Sequence, residues 1–313
     1  MGRNRPAAPT VPPTMAAVRL HSPSLSGLRF EEIETPRPRD GEALVEVHAA
    51  AITRDELDWP VDRLPAIPSY ELSGTVAAVG EGVDSVAVGE PVYALTSFDR
   101  DGVAAAYASV SADLLAPKPV RLDEIESAAV PLAALSAWQG LFDHGRLERG
   151  ERVLIHGAAG GVGHLATQLA RWRGAHVIAT ASKTGTEAAL AFGAHEVLEG
   201  ANGRFADAVA PVDLVFDTVG AELLERSPAA LRKGGRLVSV AEEPPQTAPG
   251  ASIDSHYFVV EPNRPQLVDI GRLVDDDVLR VAVDSVFPLS DARAAFERSL
   301  ASGKRGKVVL RVA

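Results

Sequence analysis

The chain has 313 residues, room for two domains at about 150 residues each, and its 46% hydrophobic and 23% charged residues exclude a disordered or fibrous protein. A formal net charge of −11 sets the surface against phosphate backbones and anionic lipid, so no nucleic acid and no membrane surface is expected as a partner. Cysteine is absent, which removes disulfides, thiol nucleophiles and Cys-ligated metals and agrees with a cytoplasmic setting.

Residues 1–14 are Pro-rich with two early arginines and no apolar stretch, so they read as a disordered leader rather than a secretory signal, with Met15 an alternative start. No run of about 18 apolar residues follows, so no transmembrane helix is expected. From Ala16 to about Pro119 short strand-like runs alternate with turn residues: Ala43–Val47, Gly74–Val79 and Glu90–Ala94. Such spacing predicts a partly open antiparallel barrel, with no long amphipathic helix before about Leu122.

The period then changes. A helix is expected over 122–140, interrupted at Pro131, followed by a strand at Arg152–His156 and a helix at Val162–Arg173. Strands at His176–Thr180, Val212–Asp217 and Arg236–Val240 alternate with helices near 187–192 and 223–231. Buried strands alternating with helices are the pattern of a doubly wound parallel sheet. Residues 242–255 read as a loop, and helices near 265–274 and 291–301 precede a last strand at 307–312.

The strongest local signal is His156-Gly157-Ala158-Ala159-Gly160-Gly161-Val162-Gly163, which follows the first parallel strand and opens an amphipathic helix. Small residues at Ala158, Gly160 and Gly161 admit a pyrophosphate to the backbone, Val162 and Gly163 start the helix, and the helix N-terminus attracts the anion. A tight turn without ligand is the alternative, at the cost of four glycines in seven residues. An NAD site places an acid about 20 residues on, at the end of the second strand. Here Ser182 and Lys183 stand there and no carboxylate appears before Glu187, which favours the 2′-phosphate of NADP(H). A solvated surface lysine is the competing reading of Lys183.

With AAGGVG at 158–163, ATAS at 179–182, VFDTVG at 215–220, AAVPLAALSAWQGL at 128–141 and GKRGKVV at 303–309, the chain resembles the zinc-free quinone oxidoreductase branch of the medium-chain dehydrogenase/reductase superfamily. The resemblance covers nearly everything from Ala16 onward. It implies a GroES-like catalytic domain from 15–124 and 264–313, a Rossmann domain inserted at 125–263, and a homodimer. Where zinc-dependent relatives carry Cys and Gly-His-Glu, this chain has Ala51-Ile52-Thr53-Arg54-Asp55 and Ser69-Tyr70-Glu71, so no metal site is expected. Relatives often place Asn near Thr53, and Ile52 competes for that slot. The Asp-Tyr that many relatives show after the third strand is replaced by Glu199-Gly200.

The implied chemistry is hydride transfer from NADPH to a quinone or an α,β-unsaturated carbonyl. The catalytic candidates are Thr53 and Tyr70 as hydrogen-bond donors to the developing oxyanion, Asp55 as a loop-orienting acid, and Trp59 as a pocket wall. Each has a plainer reading as a packed or capping residue. Thr218, Val219, Gly220, Val240 and Ala241 end parallel strands and are expected against the cofactor's riboses. Phe258, Val259 and Val260 resemble the strand that lines the nicotinamide, and Lys304 and Lys307 return toward the phosphates or form a solvated basic turn. A pathway-specific enoyl reductase and a cofactor-binding redox sensor with little turnover stand as alternatives.

Overall fold

The computed structural model describes residues 11–200, 205–209, 211–245 and 253–313. The first half is built from β1 (Thr14–Leu20), β2 (Leu28–Glu34), β3 (Glu42–Ile52), β4 (Glu71–Val79), β5 (Pro91–Leu95), β6 (Tyr107–Ser111) and β7 (Ala116–Pro117). Then come α1 (Glu124–Ala128), α2 (Pro131–Trp138), β8 (Arg152–His156), α3 (Gly163–Arg173), β9 (His176–Ala181), α4 (Thr186–Ala191), β10 (Glu196–Glu199), α5 (Phe205–Ala208), β11 (Val212–Asp217), α6 (Ala221–Arg226), β12 (Leu231–Ser239) and β13 (Asp254–Tyr257). The chain closes with α7 (Arg264–Asp275), β14 (Val283–Pro288), α8 (Ala292–Leu300) and β15 (Lys307–Arg311).

Strands β8 to β13 form one six-stranded parallel sheet in the order β10-β9-β8-β11-β12-β13. The order reverses between β8 and β11, and the crevice beyond their carboxyl ends is where doubly wound sheets hold ligands. The other main sheet runs β14-β15-β3-β4-β5-β7, with β6 also on β3. All its pairings are antiparallel except β14 with β15, so both ends of the chain build one barrel-like sheet.

Local chemistry explains the boundaries. A capping box between Asp123 and Glu126 starts α1, and Pro131 opens α2 where a missing N–H costs nothing. Gly174 closes α3 in the left-handed conformation at φ 88°, and Asn263 caps α7 through the Gln266 N–H. One hydrophobic cluster carries Tyr70, Tyr93 and Leu95 of the barrel together with Val153, Ile155 and Phe216 of the parallel sheet, joined through α2 and α7. A second fills the barrel, and a third lies on the sheet's other face.

Several features differ from the sequence expectation. Thr14 belongs to β1, opposite Glu34, because a pairing partner outweighs the Pro-rich context; residues 1–10 lie outside the described set. β14 is an additional strand, too polar to stand out before its neighbour is known, while β10 is the third strand that the resemblance implied ahead of Gly200. The loop expected over 242–255 gives way to β13 at Asp254, whose register comes from β12, while 246–252 lie outside the described residues. β12 starts at Leu231, ahead of the expected Arg236, and reaches it across Gly234 and Gly235. No helix among the described residues is long and apolar enough to cross a membrane.

Candidate active site

The glycine-rich turn sits at the carboxyl end of β8, at the switch point. Gly157 takes φ 75°, a conformation that favours glycine, and its N–H and that of Ala158 are held by Thr180 at the end of β9. A Cβ on Gly163 would lie 2.1 Å from the Gly157 carbonyl, so glycine is what allows α3 to start this close to its strand. Gly160 and Gly161 stay partly exposed, whereas the Ala158 methyl is buried in the core. No side chain caps α3 at Val162; the His164 and Leu165 N–H groups already turn to the Gly160 and Val162 carbonyls, so among the described residues it is the N–H groups of Val162 and Gly163 that are left for an external acceptor.

The last strand reaches this turn from the other domain. The Gly306 N–H donates to the Ala159 carbonyl at 3.1 Å, and Gly306 bridges Gly160. One residue on, the Lys307 stem runs beneath Gly161, where an added Cβ would sit 3.1 Å from Cδ. Its ammonium lies 2.5 Å from Glu71 Oε1 and donates to Thr53 Oγ1 at 3.0 Å. The second Glu71 oxygen accepts the Leu132 N–H at 2.8 Å, which ties β4 to α2. Glu56 completes the cluster: Oε2 accepts the Thr53 N–H at 3.0 Å, while Oε1 is buried without a hydrogen-bond partner. Burial raises the Glu56 carboxyl to about 8 against the opposing pull of the Thr53 N–H and Lys307, so it is protonated at neutral pH.

Thr53 is therefore gathered into the centre of the site, half-buried. Tyr70 is fully buried, edge-on to Phe98 and tilted on Trp59, with its hydroxyl 3.5 Å from Arg63, which also donates to the Phe98 carbonyl. This placement makes Tyr70 part of an aromatic wall; its phenol does not open onto the cleft. Trp59 is half-buried in the same wall, and its indole N–H donates to Asp55 at 3.3 Å, so Asp55 orients Trp59 from an exposed position. Asp55 and Tyr70 are thus placed as supporting groups.

The cofactor candidates fall into three sets. Ser182 and Lys183 are exposed at the end of β9, with Ser182 Oγ 3.2 Å from Thr184 Oγ1. Thr218 donates to the His156 carbonyl at 2.7 Å, and Thr218 and Val219 close on Gly157. Asp217 accepts from the Gly220 N–H and the Ser239 hydroxyl, holding Gly220 at φ 78°, while Val240 and Ala241 stay half-buried beside them. Of Phe258–Val260 only Val259 is well exposed; Phe258 stacks on His144, so alternation along the chain turns it away from solvent. Lys304 donates to the Ser299 carbonyl, and burial, with Arg54 and Lys307 nearby, lowers its ammonium to about 8.

Buried histidines brace the turn. His156 lies between Thr180 and Ser227 hydroxyls, and burial depresses it to about 3. His164 meets the Gly160 carbonyl and accepts the Ala282 N–H, with burial taking it to about 4. Both are neutral supports at physiological pH. Glu56, Arg54, Phe98 and the Lys307 link to Glu71 were not singled out from the sequence. Thr53-Arg54-Asp55-Glu56 has the Thr-x-x-Glu spacing of a capping box, a local signal for the Thr53 N–H to Glu56 bond, whereas only the fold brings that pair to Lys307.

Residues 39–120 match the alcohol dehydrogenase GroES-like domain and residues 192–310 match the family described as zinc-binding dehydrogenase. The chain is 31% identical, over 97% of its length and 98% of the relative, to a probable zinc-binding oxidoreductase, mitochondrial, of Arthroderma benhamiae. It superposes on the quinone oxidoreductase of Coxiella burnetii with a TM-score of 0.88 at 31% identity, covering 96% of this chain and all of that one. The chain belongs to the quinone-oxidoreductase branch of the medium-chain dehydrogenase/reductase superfamily. A mycobacterial member solved with NADPH matches at TM-score 0.86 and 26% identity over 95% of this chain and all of that one. The protein is an oxidoreductase whose relatives support a nicotinamide cofactor.

Proposed function

We propose that this protein is a zinc-independent, NADPH-dependent reductase of quinones or α,β-unsaturated carbonyls, working as a cytoplasmic homodimer. The observation that carries the reading is the start of α3 beside Gly160 and Gly161, free of a side-chain cap, with Lys307 of the last strand running under Gly161 to the Thr53 hydroxyl. The glycine turn would hold the pyrophosphate, Thr218, Val219 and Val240 the riboses, and Val259 the nicotinamide face. Ser182 and Lys183 would meet the 2′-phosphate, since β9 runs into a hydroxyl and a cation, with the acid Glu199 on the neighbouring strand opposite Ala181. When bound, NADPH supplies the hydride.

The residues present do not suit a catalytic zinc. There is no cysteine, and among the described residues no group of three His, Asp or Glu side chains converges. The position of a zinc ligand in zinc-dependent relatives is taken by Tyr70, which packs in the aromatic wall. Thr53 would instead donate a hydrogen bond to the carbonyl oxygen as negative charge develops there, while Trp59 and Phe98 exclude water.

The test is oxidation of NADPH and NADH by purified, chelator-treated protein with a 1,4-quinone and a simple enone in parallel. Turnover with NADPH, unaffected by the chelator, is expected for at least one acceptor. Tight NADPH binding without turnover of either would turn the reading toward a cofactor-binding sensor.

A further inference from the structure

We infer that Lys307 is a positioning residue for Thr53: pinned by Glu71, its ammonium occupies a lone pair of the Thr53 hydroxyl and leaves the hydroxyl proton free to point at the substrate oxygen. An ammonium has donors and no acceptor, so Thr53 Oγ can only accept from Lys307 across their 3.0 Å contact. Among the described residues nothing accepts the Thr53 proton in return. Glu71 fixes Lys307 from the other side at 2.5 Å and is itself fixed by the Leu132 N–H. Thr53 is further held by its own N–H to Glu56. Hydroxyl, ammonium and carboxylate thus form one connected chain, and the Thr53 hydroxyl at its half-buried end keeps its proton for an external acceptor.

The alternative role for Lys307, a phosphate contact, conflicts with this geometry. With 6% of its side chain exposed, and its charge already met by Glu71, the ammonium would have to break a buried pair to reach an anion. A buried pair of this kind is poor value for stability alone. Here it sets a dipole where negative charge develops. Hydride addition at the β-carbon of an enone moves an electron pair onto the carbonyl oxygen, and the resulting enolate takes its proton at the α-carbon from water. Atoms and charge balance with Lys307 keeping its proton, so its effect is felt through Thr53.

This inference rests on the reductase reading above, and the experiment separates the two. NADPH affinity, kcat and KM are measured for the wild type, Thr53→Val, Lys307→Met with Glu71→Gln (which avoids a stranded buried carboxylate), all three changes together, and Lys307→Arg. Removing the Thr53 hydroxyl is expected to lower kcat about 100-fold, the scale of one lost oxyanion donor. The Lys307–Glu71 replacement should lower kcat at least tenfold with NADPH affinity within about twofold, the triple variant should fall no further than Thr53→Val, and Lys307→Arg should recover part of the loss. Losses that multiply would show that Lys307 acts independently of Thr53 and overturn the inference. So would weakened NADPH binding at unchanged kcat, which marks a phosphate contact. A wild type inactive with both acceptors would instead remove the reductase reading and this inference with it.

Discussion

Glu56 shows how one side chain carries information that its sequence position hides. Its carboxyl is buried beside Thr53, Lys307 and Glu71, and burial lifts it to about 8 from an ordinary 4.5. A raised folded value means that the folded state holds a proton which the unfolded chain has released between those two limits. The stabilisation is therefore complete below about pH 4.5 and is lost as pH rises through about 8, at up to about 1.4 kcal/mol per pH unit. Glu56→Gln mimics the protonated acid and cannot ionise. Its stability relative to the wild type, read from urea unfolding at pH 5.5 and pH 8, should rise with pH by about 1–3 kcal/mol across that interval. A difference that stays constant with pH would show that Glu56 titrates as a solvated carboxylate.

At the scale of elements, the turn between β8 and α3 separates two uses of glycine. A methyl on Gly163 would meet the Gly157 carbonyl at 2.1 Å, backbone against backbone, so Gly163→Ala should cost about 1–3 kcal/mol of stability and weaken NADPH binding as well. A methyl on Gly160 meets only that same carbonyl, at 3.1 Å. Gly160→Ala should therefore leave thermal stability nearly intact while reducing NADPH affinity, and equal loss of stability in both variants would deny the turn a ligand-facing side. The end of β9 gives a second contrast. Lys183→Glu should weaken NADPH more than tenfold and NADH little, checked by fluorescence titration; equal weakening would remove Lys183 from the 2′-phosphate.

These elements were legible in the sequence because their signals are local: β8, the glycine turn and α3 all lie within residues 152–173, with a clear change of period. The barrel's last strand was legible too, as a run at 307–312. What could not be read was the register that places Lys307 beneath Gly161 and against Glu71 and Thr53, since those contacts span more than 100 residues each. Tyr70, left open between a donor and a packed residue, shows a related limit. A tyrosine in a strand-entry loop offers the same letter whether its hydroxyl faces a cleft or an arginine; in the fold that hydroxyl lies 3.5 Å from Arg63.

At the scale of the molecule, the two sheets are bound into one unit. The largest hydrophobic cluster runs from Tyr93 and Leu95 through α2 and α7 to Phe216 and Val153. The Tyr93 hydroxyl donates to the Leu267 carbonyl at 2.5 Å, and the Gly306–Ala159 bond and the Glu71–Leu132 bond stitch the halves on either side of the crevice. A cofactor lodged against the glycine turn would touch groups from both halves, so its binding energy should be shared by the whole fold rather than by the parallel sheet alone. Binding at 100 times Kd stabilises by about 2.7 kcal/mol, or several degrees of Tm for a chain of this size. Calorimetry should show a single transition in the absence of cofactor and a single transition displaced upward by NADPH, with a smaller displacement by NADH at equal concentration. Two transitions, only one of them moved by NADPH, would mean that the shared core is too weak to couple the halves and that the Lys307 contact forms only transiently across the crevice.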